Sequence, residues 1–419
     1  MKKLLFFFAF ICLTSFANAQ TAYITNMGDS TVSVINVATN TVTATIKVGS
    51  SPWGVSVSPD GSKVYVANYG DNTVSVINTA TNTVSTTIII GNDAYGVQES
   101  PMGLSVNPDG SSIFVSNWGG HTVSLINSAT NTVLDTITGN IYSPVNNICD
   151  PDGICVSHDG SKVYVTNVCD FTVNVINTAV DTVSITIPVG DEPSGISISP
   201  DGSNVYVANC SCVNTVKVIN TITDTVSATI KVGSSPRGVA VSPDGSRVYV
   251  TNNGSNSISV INAATDTVLA TIPVGIKPFG VSVSPDGSKV YVANCNSIGT
   301  VSVINTATNT VSAIIAVGSY PVAFGNFISS YPVVTTGLAS VSIVSADIVV
   351  YPNPAINNIT IEALQKSTLE ILNIQGQTIM RQQLQQGKTD FDISGLSKGV
   401  YILRLDSSDK TAVTRIVKE

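Results

Sequence analysis

Ser58-Pro-Asp-Gly-Ser-Lys-Val-Tyr-Val-Ala-Asn68 is the stretch that decides the fold. Its Pro sets the φ of a type I turn and its Gly supplies the positive φ that closes a bulged hairpin, so a turn leads directly into a strand. The final aromatic-Val/Ile-small-Asn tetrapeptide occurs seven times, 42 to 50 residues apart, starting at Tyr23, Tyr65, Phe114, Tyr164, Tyr206, Tyr249 and Tyr291. A period near 42 residues, built from short β-branched runs, indicates a blade repeated around an axis.

One repeat contains four short segments with the apolar–polar alternation of β-strands. In the second repeat these segments are Gly54–Ser58, Lys63–Asn68, Thr73–Asn78 and Thr83–Ile88. Val, Ile and Thr dominate them, as expected for pleated surfaces that pack face to face. Four antiparallel strands of this kind form one propeller blade, so the sequence predicts an all-β fold.

The ends of the repeat array predict how the ring closes. The third strand, which ends in Ile-Asn, occurs seven times, whereas the Asp-Gly hairpin occurs six times, so the first repeat lacks its innermost strand. After the last repeat, Tyr320-Pro-Val-Ala-Phe-Gly-Asn-Phe-Ile328 resembles the start of a blade without its hairpin. This segment can complete the first blade and remove both sheet edges. We therefore expect a seven-bladed β-propeller over residues 20–328, with its first blade closed by the C-terminal strand.

The repeated Tyr-Val-Thr-Asn, together with Ser242-Pro-Asp-Gly-Ser-Arg-Val-Tyr249, resembles the YVTN family of β-propeller repeats. The resemblance covers residues 21–328 and recurs in every blade. It implies a secreted or cell-surface scaffold and does not imply a reaction.

The N-terminus has the pattern of a cleavable signal peptide over residues 1–19. Lys2-Lys3 precedes an apolar run from Leu4 to Leu13, and Ala17-Asn-Ala19 supplies a small-residue cleavage site. The run is too short for a membrane span with these flanks, so we expect no membrane span in the mature chain.

A second β-unit is predicted over residues 347–419, after a Ser/Val/Thr-rich linker at 329–346. Tyr351-Pro352-Asn353-Pro354, the turn that starts at Leu396 and the basic tail that starts at Arg415 resemble the type A sorting domain of the type IX secretion system of Bacteroidetes. The resemblance implies a small β-sandwich that the secretion machinery reads as an address, and therefore export through the periplasm and outer membrane to the cell surface or medium. An ordinary accessory β-sandwich is the alternative.

The charge of the propeller argues against nucleic acid as a partner. Residues 20–328 hold nine Lys and Arg against nineteen Asp and Glu. Nucleic-acid binding needs basic residues clustered on one face. A basic patch and an amphipathic helix, which would support binding to a membrane surface, are also missing.

Six cysteines remain after the signal peptide, and an even number in a secreted chain permits disulfides. The disulfide candidates are Cys149, Cys169, Cys210, Cys212 and Cys295, which lie on one face by strand count, and Cys149 with Cys169 is the favoured pair. Cys210 and Cys212 are too close for an easy mutual bridge, so a metal pair is the alternative, but two Cys without a nearby His form a weak site. We expect disulfides or free thiols, and neither a metal nor a cofactor.

One freely varying residue stands between a fixed Pro and a fixed Gly at the start of each innermost strand. Innermost strands line the channel, so these side chains should ring its mouth as a ligand rim; the alternative is an exposed position without constraint. They are Trp53, Met102, Asp152, Ser194, Arg237 and Phe279, with Val322 in the closing segment. Tyr69 and Trp118 add aromatic rings to the same face, where lengthened loops at 92–99 and 140–150 also fall. Aromatic faces beside polar loops suit sugars or peptides.

Two other repeated or acidic positions are interpreted structurally. The Asn that ends each tetrapeptide is expected to bond loop backbone in an Asx-type turn. Asp150-Pro-Asp152-Gly153 resembles a calcium-binding loop, but it aligns with the Pro-x-Gly start of the other innermost strands.

Catalytic residues are not evident in the ring. It contains two His, His121 and His158, on opposite faces by strand count, with two Arg and two Glu. Acid–base catalysis needs such groups to converge. The sequence therefore favours a non-catalytic binding or adhesion module for a glycan, peptide or surface protein. A structural surface-layer component is the alternative, followed by a propeller enzyme such as a lactonase.

Overall fold

The structure is a computed structural model that describes residues 20–91, 98–138, 148, 150–211, 213–329, 348–351, 355–363, 366–372, 378–397, 399–407 and 411–418. The chain divides into two compact units, Met1–Thr335 and Thr336–Glu419. The signal peptide and nearly all of the linker predicted at 329–346 lie outside the described residues.

The first unit is a seven-bladed propeller of antiparallel sheets, as predicted. Blades 2 to 7 each have four strands, and blade 1 has three regular strands plus the closing segment. The innermost strands are Pro52–Val57, Pro101–Val106, Pro151–Val156, Pro193–Ile198, Pro236–Val241 and Pro278–Val283. The second strands are Thr21–Asn26, Lys63–Asn68, Ser112–Asn117, Lys162–Asn167, Asn204–Asn209, Arg247–Asn252 and Lys289–Asn294.

The third and outer strands also recur at equivalent positions in every blade. The third strands are Thr31–Asn36, Thr73–Asn78, Thr122–Asn127, Thr172–Asn177, Thr215–Asn220, Ser257–Asn262 and Thr300–Asn305. The outer strands are Thr41–Lys47, Thr83–Ile89, Thr132–Thr138, Thr182–Pro188, Thr225–Lys231, Thr267–Pro273 and Thr310–Ala316. The second and third strands are buried along most of their length, whereas the outer strands expose alternate residues. The hydrophobic core therefore lies between the blades, where neighbouring sheets pack face to face.

Residues 321–328 close the ring by bonding to two blades. On one side, the amide of Tyr23 donates to the carbonyl of Phe327 and the amide of Val322 donates to the carbonyl of Thr25, each at 2.9 Å. On the other side, the amide of Val55 in blade 2 donates to the carbonyl of Phe324 at 2.9 Å. The segment thus serves as the innermost strand of blade 1 and fastens it to blade 2.

The two asparagines of each blade have different roles, and the prediction for the tetrapeptide Asn was wrong. Asn68 is buried, and its Nδ2 donates to the hydroxyls of Thr73 and Ser75, both at 2.9 Å, so it ties two strands together. The Asx turn is formed instead by the Asn that ends the third strand. Asn78 Oδ1 accepts the amides of Ala80 and Thr81, at 3.0 and 3.1 Å.

The second unit is a small β-sandwich. One sheet contains Ile348–Tyr351, Asn358–Ala363 and Gly387–Asp392, and the other contains Ser367–Leu372, Thr378–Leu384, Gly399–Ser407 and Thr411–Lys418. Ile359, Ile361 and Phe391 of the first sheet share a buried core with Leu369 and Leu403 of the second. Pro352, Asn353 and Pro354 lie outside the described residues, and Tyr351 is described in the first strand.

Candidate functional site

One face of the propeller carries the loops between second and third strands and the start of every innermost strand; we call it the entrance face. The opposite face carries the Asp-Gly hairpins and is called the hairpin face. On the entrance face three positions change chemistry from blade to blade. They are the residue before the fixed Pro, the residue after that Pro, and the residue after the tetrapeptide Asn.

The residues after the Pro meet at the end of the channel, but most are buried instead of forming an open rim. Met102 and Phe279 are 8 % exposed, Asp152 is 2 % exposed, and Ser194 and Val322 are fully buried. The glycine that follows explains this arrangement. A Cβ on Gly153 would lie 2.3 Å from the carbonyl oxygen of Ser194 in the next blade, so neighbouring backbones are in contact here. The residues after the Pro therefore form a plug that closes the channel.

The plug has an aromatic side over blades 7, 1 and 2. Trp53 and Phe279 pack edge to face with ring centroids 5.4 Å apart, and Phe279 contacts Phe324 at 5.7 Å. Tyr69, which is 38 % exposed, lies 6.2 Å from Trp53. Trp53 is half-buried and its Nε1 has no hydrogen-bond partner among the described residues. Of these four rings only Trp53 and Tyr69 are partly exposed to solvent, because Phe279 and Phe324 are buried.

The plug has a polar side over blades 4 to 6. Ser194 Oγ donates to Asp152 Oδ2 at 2.6 Å, and Oδ1 of the same carboxyl has no partner in the described part of the chain. Burial raises the pKa of Asp152, while Ser194 and the nearby Arg237 oppose that rise. The Arg237 guanidinium lies 5.7 Å from the centroid of Phe279 and so joins the two sectors.

The residues before the Pro form a more exposed ring, which the sequence pattern did not predict. All have φ between 46° and 54°, although none is Gly or Asn: Ser51, Ser100, Asp150, Glu192, Ser235, Lys277 and Tyr320. The carbonyl of each accepts the amide of the residue after a tetrapeptide Asn, for example Tyr69 to Ser51 at 3.2 Å. A left-handed backbone costs such residues strain, which accumulates at functional sites. The signal available in the sequence was the varied residue in front of a fixed Pro.

Two of the predicted cysteines occupy one of these varied positions on the entrance face. Cys210 and Cys295 occupy the position after the tetrapeptide Asn, in blades 5 and 7, which are not neighbours. Both are free thiols, which is one of the two states expected for the candidate cysteines. Cys155 is also free, whereas Cys169 is disulfide-bonded. Cys149 and Cys212 lie outside the described residues, as do most residues of the lengthened loops.

The two histidines lie on opposite faces, as predicted, and His121 has a structural role. His121 Nδ1 accepts the amide of Asp150 at 3.0 Å. In blades 2, 5 and 6 an Asn side chain makes the equivalent bond; Asn256 Oδ1, for example, accepts the amide of Lys277 at 2.8 Å. His158 lies in a hairpin, and its Nε2 is 2.9 Å from the carbonyl of Ser199.

The described residues contain no group of three or more His, Cys, Asp or Glu side chains placed to hold a metal ion. Asp152 itself is buried in the plug, bonded to Ser194. Within the same described ranges, no helix is long and apolar enough to cross a membrane.

Comparison with known families agrees with both units. The family described as lactonase, 7-bladed beta-propeller, matches residues 11–267 and 211–313, and the chain belongs to this family. The family described as secretion system C-terminal sorting domain matches residues 349–419. The predicted propeller and type IX sorting domain are therefore confirmed, and the sorting domain addresses the protein to the secretion machinery for export to the cell surface or medium.

Solved structures share the fold at low sequence identity. Hydrazine synthase of Kuenenia stuttgartiensis is 22 % identical, with a TM-score of 0.60 over 68 % of this chain and 92 % of that one. A functionally unknown protein of Desulfotomaculum acetoxidans is 18 % identical, with a TM-score of 0.61 over 73 % and 100 %. Dihydro-heme d1 dehydrogenase NirN is 14 % identical, with a TM-score of 0.55 over 90 % and 76 %. No protein with a curated description matches the sequence.

Proposed function

We propose that the protein is an exported, non-catalytic binding module whose entrance face binds a glycan. The observation that carries the proposal is the aromatic sector, where Tyr69 and Trp53 pack together beside the polar sector of Arg237. Sugars offer apolar ring faces that stack on aromatic side chains and hydroxyls that bond to neighbouring polar groups. The positions that vary between blades concentrate on this face, as expected where loops on a rigid scaffold carry recognition.

The chemistry of the entrance face supports binding more than catalysis. The carboxyl of Asp152 is buried, and burial raises the pKa of the Cys210 thiol to about 11, which leaves it protonated and weakly nucleophilic at neutral pH. His121 Nδ1 is already engaged by a backbone amide. The polar groups of this face therefore serve as hydrogen-bonding and packing groups.

A screen of the mature chain against glycan and peptide panels tests the proposal. We expect glycan binding that weakens at least tenfold in the double variant Trp53→Ala/Tyr69→Ala. Ile222→Ala is the matched control, because Ile222 is 86 % exposed in a turn on the hairpin face. Binding to peptides alone would contradict the choice of glycan. Glycan binding that survives the double variant would move the site elsewhere.

A hydrolase is the second candidate, because the chain belongs to a family named for lactonases and Asp152 leaves one buried carboxyl oxygen without a partner. Proton release from an aldonolactone, measured with the mature chain and with Asp152→Asn, separates the two functions. Turnover by the wild type that disappears in the variant would replace the binding proposal with a catalytic one. We expect no turnover by either protein.

A further inference from the structure

A cavity of about 450 Å³ runs along the propeller axis on the hairpin side of the plug. Its lining begins at the glycines that follow the plug residues, including Gly153 and Gly238, and continues to the hairpin residues His158, Pro200 and Pro243. This volume falls within the range of small-molecule sites, about 300 to 1,000 Å³. A strand rises about 3.3 Å per residue, so the five steps from Gly153 to His158 give a depth of roughly 16 Å.

The cavity is closed at the plug and open at the hairpins. At the closed end the backbones of adjacent innermost strands touch; a Cβ on Gly238 would lie 2.4 Å from the carbonyl oxygen of Phe279. At the other end His158, Pro200 and Asn326 are exposed. The cavity is therefore accessible from the hairpin face and ends beneath the plug.

The walls are mainly apolar, with serine side chains such as Ser105 and Ser197 between the apolar groups. Branched aliphatic side chains from successive blades line them, among them Leu104, Ile154, Ile196 and Val281. Cys155 also lines the cavity; burial raises the pKa of its thiol to about 12, so it is uncharged at neutral pH. Such walls favour a hydrocarbon or aromatic guest, because burying apolar surface releases it from water.

Acidic side chains surround the opening, although none of them lines the cavity itself. Each of the six hairpins carries one Asp at its tip, and the pKa of every one lies below its ordinary value. In Asp159, hydrogen bonds from Ser157 and Ser161 lower the pKa to about 2. The cations near the hairpins bond across blade seams; Lys162 Nζ, for example, lies 2.8 Å from Asp224 Oδ2. The opening thus repels an anionic head group and attracts a cationic one.

We propose that the channel binds an amphiphilic amine, with its apolar chain between the innermost strands and its ammonium group among the hairpin carboxylates. This site is on the opposite face from the proposed glycan site and stands or falls independently of it. Variants of Trp53 and Tyr69 test the entrance face, and variants of the cavity wall test the channel.

Calorimetric titration of the mature chain with three ligands of equal chain length tests the charge preference. Dodecyltrimethylammonium, dodecyl maltoside and dodecanoate are compared below their micelle concentrations. We expect the cation to bind at least tenfold more tightly than dodecanoate, with a preference that weakens as salt screens the carboxylates. Equal binding of all three would overturn the proposal, as would preference for the anion.

The location is tested by filling the cavity and by footprinting. Ala240→Phe adds a ring to a wall residue and should weaken binding of the cation at least tenfold, whereas Ala129→Phe, in an exposed turn on the same face, should not. In the wild type, bound cation should slow hydroxyl-radical oxidation of His158, which lines the open end of the cavity, and leave His121 on the entrance face unaffected. Binding that leaves oxidation of His158 unchanged contradicts a channel site.

Discussion

Single hydroxyl groups hydrogen-bond to both of two neighbouring blades near the axis. Thr251 Oγ1 accepts the amide of Gly238 at 2.8 Å and donates to the carbonyl of Phe279 in the next blade at 2.6 Å. Thr25, Ser116 and Thr166 donate in the same way to the plug residue of the following blade. Three tetrapeptides have Ala at this position and lack this hydrogen bond. The hydroxyls therefore reinforce four of the seven contacts between neighbouring blades.

Replacing one of these hydroxyl groups should destabilise the propeller. Thr251→Val keeps the shape of the side chain but leaves a buried amide and a buried carbonyl without that partner, which costs about 1–3 kcal/mol. Urea unfolding of the mature chain measures the change. Thr45→Val, on an exposed outer strand, is the control and should change stability by less than about 0.5 kcal/mol. Equal effects of the two variants would contradict the role of Thr251.

Asp152 should make the stability of the propeller fall as pH rises. Burial raises the pKa of this carboxyl in the folded state, so above about pH 4 the unfolded chain ionises it while the folded chain resists. Asp152→Asn keeps an oxygen for Ser194 and cannot ionise. We expect the variant to gain stability relative to the wild type between pH 4 and pH 7.5, measured by urea unfolding. A difference that is constant over this range would argue against a buried, neutral carboxyl.

At the scale of the element, the Asp-Gly hairpin owes its shape to its Asp. Asp159 Oδ1 accepts the hydroxyl of Ser157 at 2.6 Å and the amide of Ser161 at 3.0 Å. Gly160 has φ of 73°, which the turn requires. The same arrangement recurs around Asp60, Asp201, Asp244 and Asp286, so the hairpins share one response to acid.

That response has a defined pH window. The pKa of Asp159 is lowered to about 2 in the folded state, so its contribution to stability is complete above the unfolded pKa, near pH 4, and is lost as pH falls through 2. Asp159→Asn should therefore be less stable than the wild type at pH 7 and equal to it near pH 2. Thermal unfolding across this range measures the difference. A gap that persists at pH 2 would show that the ionised carboxylate is not responsible.

The periodicity of the sequence was sufficient to predict the strands and blades. It was not sufficient to predict which side chains are buried near the axis. The tetrapeptide and hairpin counts predicted seven blades and the split in blade 1, because each repeat is one supersecondary unit. They could not show that Met102 or Ser194 is buried. That burial depends on the close contact between the innermost strand of one blade and the glycine backbone of its neighbour. Likewise, the repeat count places Cys210 and Cys295 on one face, in blades 5 and 7, but it does not show that both are free thiols.

At the scale of the whole molecule, the closing segment determines whether the ring is continuous. Phe327 is fully buried in the core that joins blade 1 to blades 7 and 2. Phe327→Ala should cost about 3–5 kcal/mol and make the ring more susceptible to proteolysis. Phe171→Ala is the matched control, because Phe171 is 45 % exposed. Unchanged unfolding of the Phe327 variant would contradict a role for this segment in closure.

The two faces of the ring differ in kind. The entrance face is closed at its centre and varied in chemistry, whereas the hairpin face is regular, acidic and open to the channel. The repeat in the sequence describes the second face well, because its turns are nearly identical. It describes the first face poorly, because the informative positions are those that depart from the repeat.

Fluorescence titration of the entrance face tests the glycan proposal most directly. The chain has two Trp residues, Trp53 and Trp118, and both lie on this face. In a Trp118→Phe variant, titration with the glycan selected on the panel should change the emission of Trp53, and Tyr69→Ala should weaken the affinity at least tenfold. Glycan binding detected by calorimetry without any change in Trp53 emission, and with unaltered affinity in Tyr69→Ala, would contradict the entrance face as the binding site.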